Sequence, residues 1–218
     1  MKYFLFLPLL LYSLIFHTLL FIFERVVWFL GLFLIPIGLA FSYIDQTKLT
    51  SEGFQLYRLP SWLNRAYGND KDGFGDTNYA VNTCKYPSLT EYNTKAWYKH
   101  WVWLAWRNPC HNFCITIPIY HIDFSKVKSI SYIGNAIVDN RVIDSKGQAG
   151  FQFVWATGGW RLYTGIYFVI RYGSSMKCFR FRVGYKIQPK DVEKLGSSER
   201  ALWTFSFFSP FKSMINGF

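Results

Sequence analysis

The chain has 218 residues, of which 51% are hydrophobic, 21% aromatic and 17% charged, a composition too rich in rings for a disordered protein. Its four cysteines are too sparse for a small disulfide-built scaffold. Lys and Arg number 24 against 13 Asp and Glu, a formal net charge of +11, and the charges are unevenly placed. Residues 1–44 hold only Lys2, Glu24 and Arg25. Residues 45–218 carry the other 22 basic and 12 acidic side chains and are numerous enough to bury a core.

Tyr3 to Phe23 is a run of 21 uncharged residues, fifteen of them Leu, Ile or Phe. At roughly −0.3 to −0.6 kcal/mol each, those fifteen favour insertion into a bilayer by about 5–9 kcal/mol. Val26 to Ile44 is a second apolar run of 19 residues. Each could cross ~30 Å of hydrocarbon. One helix over both runs would be about twice too long, and it would carry Glu24 and Arg25 in its middle. A transmembrane helical hairpin turning at Glu24-Arg25 is therefore expected. Lys2, Lys48, Arg58 and Arg65 at its outer ends place both ends in the cytoplasm. A single span with the remainder at the interface, or a signal peptide cleaved near Gly38-Leu39-Ala40, are the alternatives. His17 beside Thr18 reads as a packing or interfacial residue before a proton carrier.

The stretch from Gly68 to Asp76 has turn chemistry throughout. Counted from Asp70 as a calcium loop, position 5 is Phe74 and position 12 is Val81, so the EF-hand pattern fails. Glu91 to Arg107 then reads as a helix stopped by Asn108-Pro109. Trp97, Trp101 and Leu104 share one face, and Tyr98, Val102 and Ala105 widen it. Trp97, Trp101, Trp103 and Trp106 with nearby lysines suit a helix lying on a bilayer surface; an aromatic core helix is the alternative.

Cys110-His111-Asn112-Phe113-Cys114 offers one closely spaced thiol pair, but a structural zinc site needs a second pair that the sequence lacks. The order of Cys and His is not that of haem attachment either. Reduced, buried thiols are the expectation. No motif calls for a cofactor.

From Ile115 on, runs of Ile, Val, Tyr, Phe and Trp alternate with Gly, Asn, Asp and Ser. The predicted strands are Lys128–Ile133, Arg141–Ile143, Gly150–Ala156, Trp160–Arg171, Lys177–Ile187 and Trp203–Phe207, with turns at Gly158-Gly159 and Gly173-Ser174-Ser175. In Lys177–Ile187, Phe179, Phe181, Val183, Tyr185 and Ile187 fall on one face and Arg180, Arg182 and Lys186 on the other. Arg171 joins the cations across the turn. A solvated basic face is the plain reading. An anion- or lipid-binding surface formed by Arg180, Arg182, Lys186 and Arg171 is the sharper one. Nucleic acid is a poorer fit, because no nucleic-acid-binding motif accompanies the charge.

Three segments carry a family likeness: Leu59-Pro60-Ser61-Trp62-Leu63 running on to Asn69–Asp76, then Trp103–Pro109 with Asn112-Phe113, then Cys178–Ile187. Together they resemble a group of small uncharacterised membrane or hypothetical proteins of tailed bacteriophages. The resemblance implies a viral origin and a bacterial host membrane, and it brings no catalytic residues. The expected fold is α+β. Residues 1–44 form a transmembrane helical hairpin, residues 45–114 the linker, loop and aromatic amphipathic helix, and residues 115–218 an antiparallel β-sheet domain. The expected protein is non-enzymatic. It acts at the host inner membrane through lipid, anionic head groups or an acidic protein partner, in exclusion, takeover or assembly support. A virion component that inserts or self-associates through its apolar head is the second reading. A metal- or thiol-dependent enzyme using Cys110, His111, Cys114 or the Asp70–Asp76 loop is the third.

Overall fold

One helix, α1, runs without a break from Phe6 to Ala40. It belongs to a computed structural model that describes residues 6–49, 55–68, 101–107, 110–135, 150–159, 161–171 and 177–213. The expected turn at Glu24-Arg25 is absent. The charge pair argues for a turn only if it must escape lipid; its backbone has no Gly or Pro to bend at, and both residues are good helix formers. Within α1 the pair neutralises itself instead: Arg25 donates from Nε to Glu24 Oε2 at 2.8 Å and from Nη2 to Oε1 at 3.0 Å.

The chain folds as two compact units, Met1–Phe21 with Ile119–Phe218, and Ile22–Pro118. The first contains a six-stranded sheet built from β3 (His121–Asp123), β4 (Ser129–Gly134), β5 (Gly150–Gly158), β6 (Arg161–Arg171), β7 (Lys177–Tyr185) and β8 (Arg200–Ser213). The strand order is β3-β8-β7-β6-β5-β4, and every pairing is antiparallel. Strands β4 to β8 coincide with five predicted runs; β8 is longer than its prediction. The predicted strand Arg141–Ile143 lies outside the described residues, as do Asn69–Asp76 and the first part of the aromatic helix, residues 91–100.

Both faces of this sheet bury side chains. On one face Phe153, Ile166 and Val183 stand in register across β5, β6 and β7, and Phe6, Leu9 and Leu10 of α1 pack on them. The other face buries Val154, Ala156, Val169, Gln152 and Tyr167. A short 3-10 helix, Pro189–Lys194, touches β4.

The second unit pairs β1 (Tyr43–Leu49) with β2 (Gln55–Arg58) and packs α2 (Ser61–Tyr67) and α3 (His111–Thr116) with the later part of α1. Its core joins Ile35, Leu59, Leu63, Tyr67, Leu104, Ala105 and Cys110. Two glycines let the backbones meet. A Cβ at Gly31 would lie 2.6 Å from the Tyr67 ring, and one at Gly38 2.5 Å from Leu63. Tyr67 Oη donates to the Val27 carbonyl at 2.9 Å, and Trp28 Nε1 to the Ala105 carbonyl at 2.6 Å. The segment before α3 ends in a π-helical turn, Trp103–Arg107.

Candidate functional site: an apolar outward helix face and its adjoining cleft

The side chains of α1 sort into two opposite faces. Ser13, His17, Leu20, Glu24, Gly31, Ile35 and Gly38 are buried, and they recur at steps of three, four or seven residues. This is the repeat that keeps one side of a helix against protein. Leu7, Leu11, Leu14, Ile15, Leu19, Ile22, Val26, Phe29, Leu30, Phe33 and Ile37 are all exposed and continue along the other side. A water-soluble surface helix has the reverse arrangement, apolar inward and polar outward. Here the polar and small residues face protein and the large apolar ones face out, as membrane helices do.

The polar groups on α1 are satisfied within the protein. In the first unit Ser13 Oγ and Thr164 Oγ1 of β6 are 2.7 Å apart. Trp203 Nε1 donates to His17 Nδ1 at 3.0 Å, which leaves the ring proton on Nε2, 2.9 Å from Thr164 Oγ1 and 3.1 Å from the Thr164 carbonyl. Tyr120 Oη donates to the Leu20 carbonyl at 2.7 Å. Thr18, on the exposed side, donates to the Leu14 carbonyl one turn back at 2.7 Å, a bond that leaves no hydroxyl proton facing outward. The His17 ring fits because β6 and β7 oppose two glycines, Gly165 and Gly184. A Cβ on Gly184 would come 2.7 Å from His17 Nε2.

A cleft of about 390 Å³ opens in the first unit beside α1, between Tyr12 and Phe16 on the helix and Arg161, Leu162, Tyr163 and Tyr185 on the sheet. Tyr12 and Phe16 are stacked, with centroids 5.7 Å apart. Tyr163 and Tyr185 meet edge to face at 5.1 Å, and Tyr185 Oη donates to the Ile119 carbonyl. Burial raises the Tyr185 phenol above its ordinary value, while the Arg161 charge pulls the other way. Arg161 supplies the positive charge of an otherwise aromatic and aliphatic lining. Tyr12 is exposed and sits next to Leu11 on the apolar stripe.

A family model matches residues 5–216, nearly the whole chain. The chain belongs to DUF7338, a family of unknown function. No curated protein and no solved structure matches the DUF7338 chain.

The predicted site residues of this DUF7338 protein fall in different places. Arg180 and Arg182 are buried at 5% and 6% exposure, not solvated. Alternation along β7 separates its two faces, but it cannot say which is wet, and this sheet buries side chains on both. Arg182 Nη2 donates to Ser206 Oγ at 3.2 Å, and burial pulls its guanidinium down to about 10, still charged at neutral pH. Lys186 is half-buried, and the side chain of Arg171 lies outside the described residues. Arg180 and Arg182 therefore lie inside the folded first unit. Trp97 and the side chain of Trp103 also lie outside the described residues. Trp101 is half-buried in the second unit, its Nε1 donating to the Leu32 carbonyl at 3.3 Å. Trp106 is 56% exposed and stacks edge to face on Trp28 at 5.4 Å.

Cys110 and Cys114 are buried free thiols. Burial, with the Glu24 carboxylate adding to it, pushes Cys114 up to about 12 and Cys110 higher still, the opposite of what a nucleophilic cysteine needs. Among the described residues no group of three or more His, Cys, Asp or Glu could hold a metal ion. Arg161, Tyr163 and Tyr185 carry no sequence signal as a site, because their meeting with Tyr12 depends on long-range pairing. The polar face of α1 does carry one: Ser13, His17, Glu24, Gly31 and Gly38 share a single three-four repeat.

Proposed function

We propose that this is a monotopic membrane protein whose α1 lies along one face of a bilayer. Its apolar stripe is sunk among acyl chains, and its polar face is bound to the rest of the chain on the water side. The observation that carries this reading is the inverted helix: its outward stripe is large and apolar, flanked by Tyr12 and a partly exposed, paired Arg25, while Ser13, His17 and Glu24 are turned to protein. At about 1.5 Å per residue, 35 residues extend ~52 Å, well beyond the ~30 Å of a hydrocarbon core. A helix of that length fits more easily along the membrane than across it. The remaining chain then acts as a binding scaffold held at the lipid boundary, a non-catalytic role. On the bacteriophage resemblance, that boundary would be the host inner membrane, with the sheet on its cytoplasmic side.

Phe29 and Phe33 face outward and touch each other at 5.4 Å. Replacing both with Lys removes the transfer of two rings into lipid, about 1.5–3 kcal/mol each. Vesicle co-flotation of the full-length Phe29→Lys/Phe33→Lys variant is expected to fall at least a hundred-fold in partition coefficient. Its thermal unfolding in detergent should stay within a few degrees of the parent. Equal flotation of variant and parent removes the reading.

A further inference from the structure

The apolar stripe of α1 does not end in smooth protein. Beside Tyr12 it meets the cleft in the first unit. The cleft combines features that match an anionic phospholipid more closely than a water-soluble ligand. Tyr12, Phe16 and Leu162 offer ring and aliphatic surface continuous with residues that face acyl chains in the reading above. Arg161 offers the planar, always-charged group that pairs with phosphate oxygens at two points. Tyr12, half-exposed at the rim, has the amphipathic character of residues at the head-group level. The volume of about 390 Å³ falls in the range of small-ligand clefts and would take a glycerophosphate head with the first part of a chain, while the remaining chain lies along α1.

From this geometry we infer that the cleft binds one anionic phospholipid, with Arg161 on its phosphate and its acyl chain between Tyr12, Phe16 and Leu162. This inference rests on the membrane reading and goes further. The chain would not merely adsorb to negative lipid but would hold a single molecule of it in a defined place. A net charge of +11 already attracts an anionic leaflet without any site, so the test must separate a site from a field.

Full-length protein, Arg161→Gln, Leu162→Trp and the control Lys126→Gln would be compared in two ways. Lys126 is an exposed cation of the same unit, 75% accessible, and lies outside the cleft. Flotation uses vesicles of phosphatidylcholine alone and of equal parts phosphatidylcholine and phosphatidylglycerol. Native mass spectrometry counts phosphatidylglycerol retained per chain after detergent extraction. One retained lipid is expected for the parent and for Lys126→Gln. Arg161→Gln should lose it, because the phosphate contact goes. Leu162→Trp should lose it because the cleft is filled with no change of charge. The preference for phosphatidylglycerol vesicles should drop about five-fold in Arg161→Gln and less than two-fold in Lys126→Gln. Equal losses in Arg161→Gln and Lys126→Gln, or a lipid count unchanged by Leu162→Trp, overturn the site while leaving membrane binding intact. Retention of inorganic phosphate or a second chain in place of lipid overturns it as well. Absence of binding to both vesicle types refutes the membrane reading itself and the site with it.

Discussion

At the scale of single residues, the features that matter are those whose chemistry is set by being out of water. Cys114 is one. Its thiol sits in the second unit at about 12, raised first by burial and then by the nearby Glu24 carboxylate. A raised thiol value means that the folded state resists forming the thiolate. No stability is lost below the unfolded value near 8.5, and stability is lost as pH climbs from there towards 12. At pH 8 the thiolate fraction of native Cys114 is therefore about a thousandth of that in the unfolded chain. Iodoacetamide at pH 8, read peptide by peptide by mass spectrometry, should label Cys114 only after denaturant is added. Its native rate should keep rising through pH 10, with no plateau near the ordinary thiol value. Rapid native labelling at pH 8 would return Cys110 and Cys114 to the list of reactive groups. The same distinction applies to Arg180 and Arg182. The sequence marks them as unusual, but only packing shows that their side chains are buried at β7.

Between elements, the join of α1 to the sheet depends on a notch two glycines wide. Gly184 of β7 has φ +107°, a conformation that a side chain strains, and its missing Cβ leaves room for His17. Gly184→Ala would put a methyl carbon 2.3 Å from the Thr164 carbonyl oxygen and 2.7 Å from His17 Nε2. Either the strand or the helix must give way, and the His17–Trp203 and His17–Thr164 bonds go with it. A loss of about 2–4 kcal/mol is expected. Urea unfolding in detergent, followed by Trp fluorescence, measures it; an unchanged midpoint would show that His17 does not occupy the notch. The notch also shows what the sequence could and could not reveal. Strands β4 to β8 were legible because each is a run of β-branched and aromatic residues closed by Gly or Ser, which is local information. The helical character of residues 6–40 was legible for the same reason. That the two apolar runs form one helix was not, because Glu24 and Arg25 solve their charge problem by pairing with each other. The partner of His17 was not legible either: Thr164 and Trp203 lie 147 and 186 residues away, and no period connects them.

Over the whole molecule, the question is whether α1 crosses the bilayer or lies in it. Length alone permits a crossing, since the helix is long and apolar enough. To fit ~52 Å into ~30 Å of hydrocarbon it would have to tilt by about 55°, beyond the roughly 0–40° seen for membrane helices. A crossing would also draw the elements packed on α1 into lipid. In the first unit those include a sheet whose rim exposes Lys126 and Glu199, at roughly 2.5–3.5 kcal/mol for each charge near the bilayer centre. Lying flat avoids both costs: the outward stripe meets hydrocarbon, and the charged rim stays on the water side. The two arrangements differ in where the ends of α1 emerge. A flat helix leaves both on one side; a crossing helix puts them on opposite sides. Protein added to preformed sealed vesicles, with an N-terminal cysteine tag in one variant and Ser42→Cys in another, should react at both positions with a membrane-impermeant maleimide added outside. Ser42 lies two residues past the end of α1 and is partly accessible, so its labelling reports the helix end. Labelling at one position outside and at the other only after the vesicles are lysed would mean that α1 spans the membrane. The tilt would then have to be accommodated by a locally thickened bilayer, and the cleft beside Tyr12 would lie at hydrocarbon depth instead of at the phosphate level that Arg161 requires.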